Sequence, residues 1–222
     1  MTALLLKVCC IASVAEAELA LAHGANALGL VSAMPSGPGP IPDGEIALIA
    51  RAVGGRARTF LLTSRTQPGD IAAQVRAAGT HTVQLVDALA DGALQQLRAL
   101  LPGVAIVQVI HVRDAGALDQ ARAWAPHCDA LLLDSGNPNA AIRELGGTGR
   151  THDWSISAEL VRAVAPCPVL LAGGLRAENV AEAVRTVRPA GVDVCSGVRT
   201  GGRLDGGKVA AFVAGLGLEK TL

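Results

Sequence analysis

The chain of 222 residues has no excess of either charge: lysine plus arginine and aspartate plus glutamate number 19 each. Without a net field, nothing draws nucleic acid or anionic lipid toward it, so no nucleic-acid or membrane partner is expected and a small, locally held ligand fits better. Cysteine is sparse. Cys9, Cys10, Cys128, Cys167 and Cys195 are odd in number and lack a framework spacing, which excludes a disulfide scaffold and favours a reducing compartment, the cytoplasm. The leading apolar stretch, MTALLLKVCCIAS, is too short to span a bilayer, has no basic segment before it, and reads as a strand and not as a signal or anchor. The histidines lack metal-ligand spacing, so no metal is expected. No G-x-G-x-x-G follows the first strand, where an open dinucleotide-binding sheet would carry it. No linker or low-complexity tract divides the chain, and a single domain over residues 1–222 is expected.

Half of the residues are apolar, and they fall into short β-branched or leucine-rich runs alternating with alanine-rich segments of helical period. That is the pattern of a parallel sheet covered by crossover helices. Strands are predicted over 4–10, 27–31, 59–63, 82–85, 104–109, 130–134, 169–172 and 191–196. Helices are predicted from the Ser13/Glu16 capping box to about residue 23, then over 43–53, 68–78, 91–100, 115–125, 155–165, 179–187 and 205–216. Eight short βα units within 222 residues point to an α/β fold, a closed (β/α)8 (TIM) barrel, ahead of an open doubly wound sheet.

Catalytic groups of such a barrel belong at the C-terminal ends of its strands. The first strand ends Lys7-Val8-Cys9-Cys10; period two puts Lys7 and Cys9 on one face, toward the barrel mouth, and Val8 and Cys10 on the other, toward the helices. A thiolate at Cys9 could take a proton from carbon, although a reduced cysteine is also an ordinary small buried hydrophobe. Strand six places Asp134 after three leucines, where an apolar wall suits a general acid; a helix cap or an arginine partner would equally account for it. A long loop over 136–153 follows, with Gly146, Gly147 and Gly149, and loops of that length in a compact domain are functional or disordered. Glycine turns at Gly173-Gly174 and at Ser196-Gly197 follow strands seven and eight, where barrels build phosphate sites from backbone N–H groups. Lys7, a pleat below Cys9, reads as an interior structural lysine. Trp124 and Trp154 read as packing residues, and His23 and His127 as residues at element ends.

The blocks KVCC, HGANALGLV, VQL, LLLDS, GGTGRTHDW, PVLLAGGLRAENV and GVDVCSGVRTGGRLDGGKVAAF, in that order, resemble the phosphoribosylanthranilate isomerase family over nearly the whole chain. The resemblance implies an Amadori rearrangement in tryptophan biosynthesis, turning N-(5-phosphoribosyl)anthranilate into the carboxyphenylamino-deoxyribulose phosphate. Cys9 would be the general base at C2 and Asp134 the general acid at the ring oxygen. Gly173, Gly174, Ser196 and Gly197 would hold the phosphate, with no metal or organic cofactor.

Several positions depart from the family's pattern. Cys10, Ile11 and Ala12 stand where the family has glycine, isoleucine and threonine. The segment from Pro35 to Ile41 lacks the arginine of an S-P-R motif that meets the anthranilate carboxylate, Val86-Asp87 replaces a histidine-glycine pair, and Arg199 stands where a glutamate is usual. Arg65, Arg113 or Arg199 would have to replace the lost contact, or the ligand differs. Two other readings therefore remain: a related barrel isomerase acting on another phosphorylated sugar or aminosugar, and a non-catalytic barrel binding a phosphorylated metabolite. Retention of both Cys9 and Asp134 argues against the last.

Overall fold

Burial on both faces explains why the strands read as unbroken apolar runs. The computed structural model describes residues 4–114, 116–135 and 153–217; the loop expected over 136–153, with its glycines, lies outside the described residues except for Asp153. Eight parallel strands, β1 (Leu5–Val8), β2 (Ala27–Val31), β3 (Arg58–Thr63), β4 (Thr82–Leu85), β5 (Ala105–His111), β6 (Ala130–Asp134), β7 (Val169–Leu171) and β8 (Gly191–Val194), pair in sequence order and close into a barrel. The open-sheet alternative is thereby set aside.

Period two sorts the side chains. Val8, Leu28, Leu30, Leu61, Val83 and Leu133 face outward into the main apolar layer under the helices, while Ala27, Val31, Phe60, Leu62, Val107, Val109 and Leu132 fill the barrel interior. The covering helices are α1 (Val14–Ala22), α2 (Asp43–Val53), α3 (Pro68–Ala78), α4 (Ala93–Leu100), α5 (Gly116–Trp124), α6 (Trp154–Ala163), α7 (Val180–Val187) and α8 (Gly206–Gly215). Their starts follow local chemistry. Ser13 Oγ accepts from Glu16 N at 3.2 Å, Asp153 Oδ1 from Ser155 N at 2.8 Å and Asp205 Oδ1 from Lys208 N at 3.2 Å, each satisfying an amide that the helix leaves orphaned.

The barrel closes where β1 meets β8, with Lys7 opposite Asp193 in the register. Lys7 is wholly buried, and its Nζ lies 2.8 Å from Asp193 Oδ2 and 5.3 Å from the centre of the Phe60 ring. Burial alone would lower the lysine's pKa, but the adjacent Asp193 carboxylate overrides it and holds the ammonium charged.

One prediction of orientation fails at the end of β1. The strand stops at Val8, two residues earlier than expected, and Cys10 has a left-handed backbone with φ of 61°. The two-residue alternation no longer applies beyond that break, so Cys10 points into the barrel mouth and not toward the helices.

Candidate active site

A cavity open to solvent sits over the C-terminal ends of the strands. Its wall takes Cys9 and Cys10 from just beyond β1, Gln84 from β4 and Val86 from just beyond it, and Asp134 from the end of β6. Gly173, Gly174 and Leu175 follow β7, and Asp193, Cys195 and Ser196 come from β8 and the turn beyond it. Of the six residues singled out in the sequence, five therefore share this wall. Gly197 lies just behind Ser196, and a Cβ built on it would meet the Leu175 carbonyl oxygen at 2.1 Å, so the turns after β7 and β8 pack backbone to backbone. Only glycine allows that approach.

Asn179 fixes the first of these turns. It accepts from Arg176 N at 2.8 Å and donates Nδ2 to Gly174 O at 3.0 Å, while Gly173 and Gly174 both have positive φ. Asp134, 8% exposed, accepts from Ser135 N at 2.7 Å. Asp193 gives one oxygen to Lys7; its Oδ1, buried at the cavity wall, has no hydrogen-bond partner among the described residues. Neither Asn179 nor Asp193 stood out in the sequence, although both fall inside its most specific blocks.

Space for the Cys9 thiol is provided from β2. A Cβ on Gly29 would lie 2.6 Å from Cys9 Sγ and 3.1 Å from Lys7 Nζ, so the strand passes the thiol and the ammonium with nothing to spare. The backbone of Cys9 is fixed from the other direction by Arg199. Its Nη2 donates to the carbonyls of Cys9 and Cys10 and pairs with Glu16 at 3.2 Å, and its Nη1 donates to Gly202 O at 2.9 Å. Glu16 also accepts from Ala12 N and Leu204 N. Arg199 was one of three arginines that could have met a substrate carboxylate, but it does not line the cavity, and both of its terminal nitrogens are engaged by protein acceptors. Arg65 and Arg113 are also outside the lining, which among the described residues contains no lysine, arginine or histidine.

Comparison with known proteins decides the family. The family model described as N-(5'phosphoribosyl)anthranilate (PRA) isomerase matches residues 63–215. The chain belongs to the N-(5'-phosphoribosyl)anthranilate isomerase family. The isomerase of that name from Haloferax volcanii is 42% identical, over 94% of this chain and 90% of its own. That of Synechococcus is 36% identical, over 97% and 91%. Among solved structures, the phosphoribosyl anthranilate isomerase of Thermus thermophilus superposes with a TM-score of 0.80 at 25% identity, covering 96% of this chain and 98% of the other. The isomerase family thus accounts for the barrel.

Proposed function

We propose that the chain catalyses the Amadori rearrangement of N-(5-phosphoribosyl)anthranilate to 1-(2-carboxyphenylamino)-1-deoxyribulose 5-phosphate, the isomerisation of tryptophan biosynthesis. The observation that carries this reading is the presence of one thiol, one carboxyl and two glycine turns on a single cavity wall: Cys9, Asp134, Gly173-Gly174 and Ser196. Asp134 donates a proton to the furanose ring oxygen as the C1–O bond breaks, leaving an iminium. The Cys9 thiolate then removes the C2 proton, and the resulting enolamine settles to the ketone. One proton is given and one is taken, so the pair ends with its protonation states exchanged. Backbone N–H groups of the turns after β7 and β8 hold the phosphate, and the unpaired Asp193 Oδ1 accepts from a substrate hydroxyl.

No cofactor or metal enters this scheme. We place the protein in the cytoplasm and read residues 1–222 as one barrel domain, in keeping with five unpaired cysteines and with the absence, among the described residues, of a helix long and apolar enough to cross a membrane.

The test is turnover of phosphoribosylanthranilate by the purified protein, followed by loss of anthranilate fluorescence. Cys9→Ala and Asp134→Asn should each lower kcat by about 10²–10⁴-fold while phosphate still binds. Gly197→Ala should weaken phosphate binding. Undiminished turnover in Cys9→Ala would reject the assignment. Among the described residues the lining holds no cation, which favours one second reading, a phosphorylated aminosugar without an aromatic carboxylate; it gains if such a compound turns over and phosphoribosylanthranilate does not.

A further inference from the structure

The sulfurs of Cys10 and Cys195 lie 2.9 Å apart, joining the end of β1 to the end of β8 across residues 185 positions apart in sequence. Both line the solvent-open cavity. The surroundings are shaped around the first thiol. Cys10 keeps a positive φ that favours glycine, its sulfur lies 3.4 Å from Pro38 O, and Gly39 passes so close that a Cβ there would meet Cys10 Cβ at 2.6 Å. A side chain held at a strained position, with a loop cut back to admit it, suggests a use for that side chain.

We propose that Cys10 and Cys195 form a dithiol modification site that hydroperoxides convert to a disulfide across the cavity wall, reversibly blocking turnover. The electrical environment assigns the roles. Hydrogen bonding to Cys10 and the charge of Arg199 hold the Cys195 thiol below its ordinary pKa against the effect of burial, whereas hydrogen bonding to Cys195 and to Cys9, with burial, pushes Cys10 well above its own. Cys195 is then the attacking thiolate. It takes one oxygen from hydrogen peroxide to become a sulfenic acid, with hydroxide leaving, and the proton released when Cys195 ionised turns that hydroxide into water; the Cys10 sulfur then displaces the sulfenic oxygen, which takes the Cys10 proton and leaves as the second water. Two thiols lose two electrons, and one peroxide becomes two waters. Closure to a bond of about 2.0 Å needs little movement of either strand end. The bond would draw the residue after the base Cys9 toward the one before Ser196, narrowing the space between the thiol and the phosphate turns. Among the described residues no set of cysteines, histidines and carboxylates converges as a metal site, so a soft cation is the weaker occupant.

The experiment treats the reduced protein with increasing hydrogen peroxide, quenches with iodoacetamide, and maps peptides by mass while turnover is followed in parallel. A peptide joining Cys10 to Cys195, 2 Da lighter than its reduced halves together, should rise in step with loss of turnover, and dithiothreitol should reverse both. Cys128, which burial pushes up to about 12, should remain a free thiol. Cys195→Ala, scored against its own untreated activity, should need about tenfold more peroxide for the same fractional loss. The proposal fails if turnover is lost while Cys10 and Cys195 both remain alkylatable, if the cross-linked protein still turns over, or if Cys195→Ala is silenced at the parent's dose, which would place the damage at Cys9. The block on turnover rests on the isomerase reading, but the cross-link is read by mass alone, so the two can fail separately.

Discussion

Arg199 holds the main chain of Cys9: one guanidinium nitrogen donates to the Cys9 carbonyl at 3.2 Å while reaching Glu16 Oε2 at the same distance. The arginine does not itself line the cavity and acts through the main chain of Cys9, so it is a positioning residue. Arg199→Met should lower kcat about tenfold or more with little change in KM, because geometry at the base is lost and substrate binding is not. The pair's polarity can also be reversed. Arg199→Glu alone should be strongly impaired by two facing carboxylates, and the double variant Glu16→Arg/Arg199→Glu should recover much of the loss; no recovery would mean that the ion pair is incidental to the thiol's placement.

The same network sets an acid limit. Burial would raise the Glu16 pKa, but the Leu204 and Ala12 amides and the Arg199 guanidinium outweigh it and hold the carboxyl below its ordinary 4.5. A carboxyl depressed in the folded state adds stability above its unfolded value and loses it as pH falls through the folded one. Urea unfolding of the parent and of Glu16→Gln should therefore differ by a constant amount at neutral pH, with the gap closing only below about pH 4.5. A gap that persists at still lower pH would show that Glu16 acts by packing.

Gly29→Ala tests the space around the thiol. The added Cβ would lie 2.6 Å from Cys9 Sγ, and either the thiol or the strand must move. We expect a folded barrel by circular dichroism with kcat reduced by about 10²-fold, the penalty typical of a misplacement near 1 Å.

Lys7→Met should cost about 3–5 kcal/mol in chemical denaturation, because Asp193 would be left buried without its counter-charge. Adding Asp193→Leu should return most of that stability, since a buried pair exchanged for apolar groups is close to neutral. If the double variant is no more stable than the single, packing of the lysine stem and not charge governs the loss.

Cys10→Gly removes a left-handed strain worth about 1–2 kcal/mol and surrenders the thiol's packing and hydrogen bond, which are of similar size. Its melting temperature should stay within a few degrees of the parent, whereas Cys10→Val, branched at Cβ, should fall clearly lower. Equal stability of the two would mean that the positive φ is not maintained.

Where one face of an element decided its place, the sequence was sufficient to find it. The limits of β2, β4, β6, α2 and α3 agree with the apolar runs and with Pro68 and Gly79 at the ends of α3. The catalytic-end cluster was equally legible, because strand order in a closed barrel brings the ends of β1, β6, β7 and β8 to one mouth. What could not be read is what depends on a backbone departure or a distant partner. Nothing local says that Cys10 turns left-handed, and that reversal changes the face it occupies. Arg199 looked like a free cation because Glu16 is 183 residues away, and the clearance at Gly29 is visible only once β1 and β2 lie side by side.

Lys7 and Asp193 face each other across the seam at which the barrel closes. Split between β4 and β5, the chain would yield two half-barrels, one carrying the ammonium on its free edge and the other the carboxylate. Each edge could pair with several stretches of backbone, since parallel ladders are nearly indifferent to sequence. Slipping the seam by one residue, however, would bring Lys7 opposite Val192 or Val194 and bury a charge against a valine at a cost of several kcal/mol. The ion pair thus acts as a key for reassembly: the halves recombine in one alignment, whereas a half-barrel closed on a copy of itself would pair its first strand with the partner's last and bury the ammonium or the carboxylate without its counter-charge.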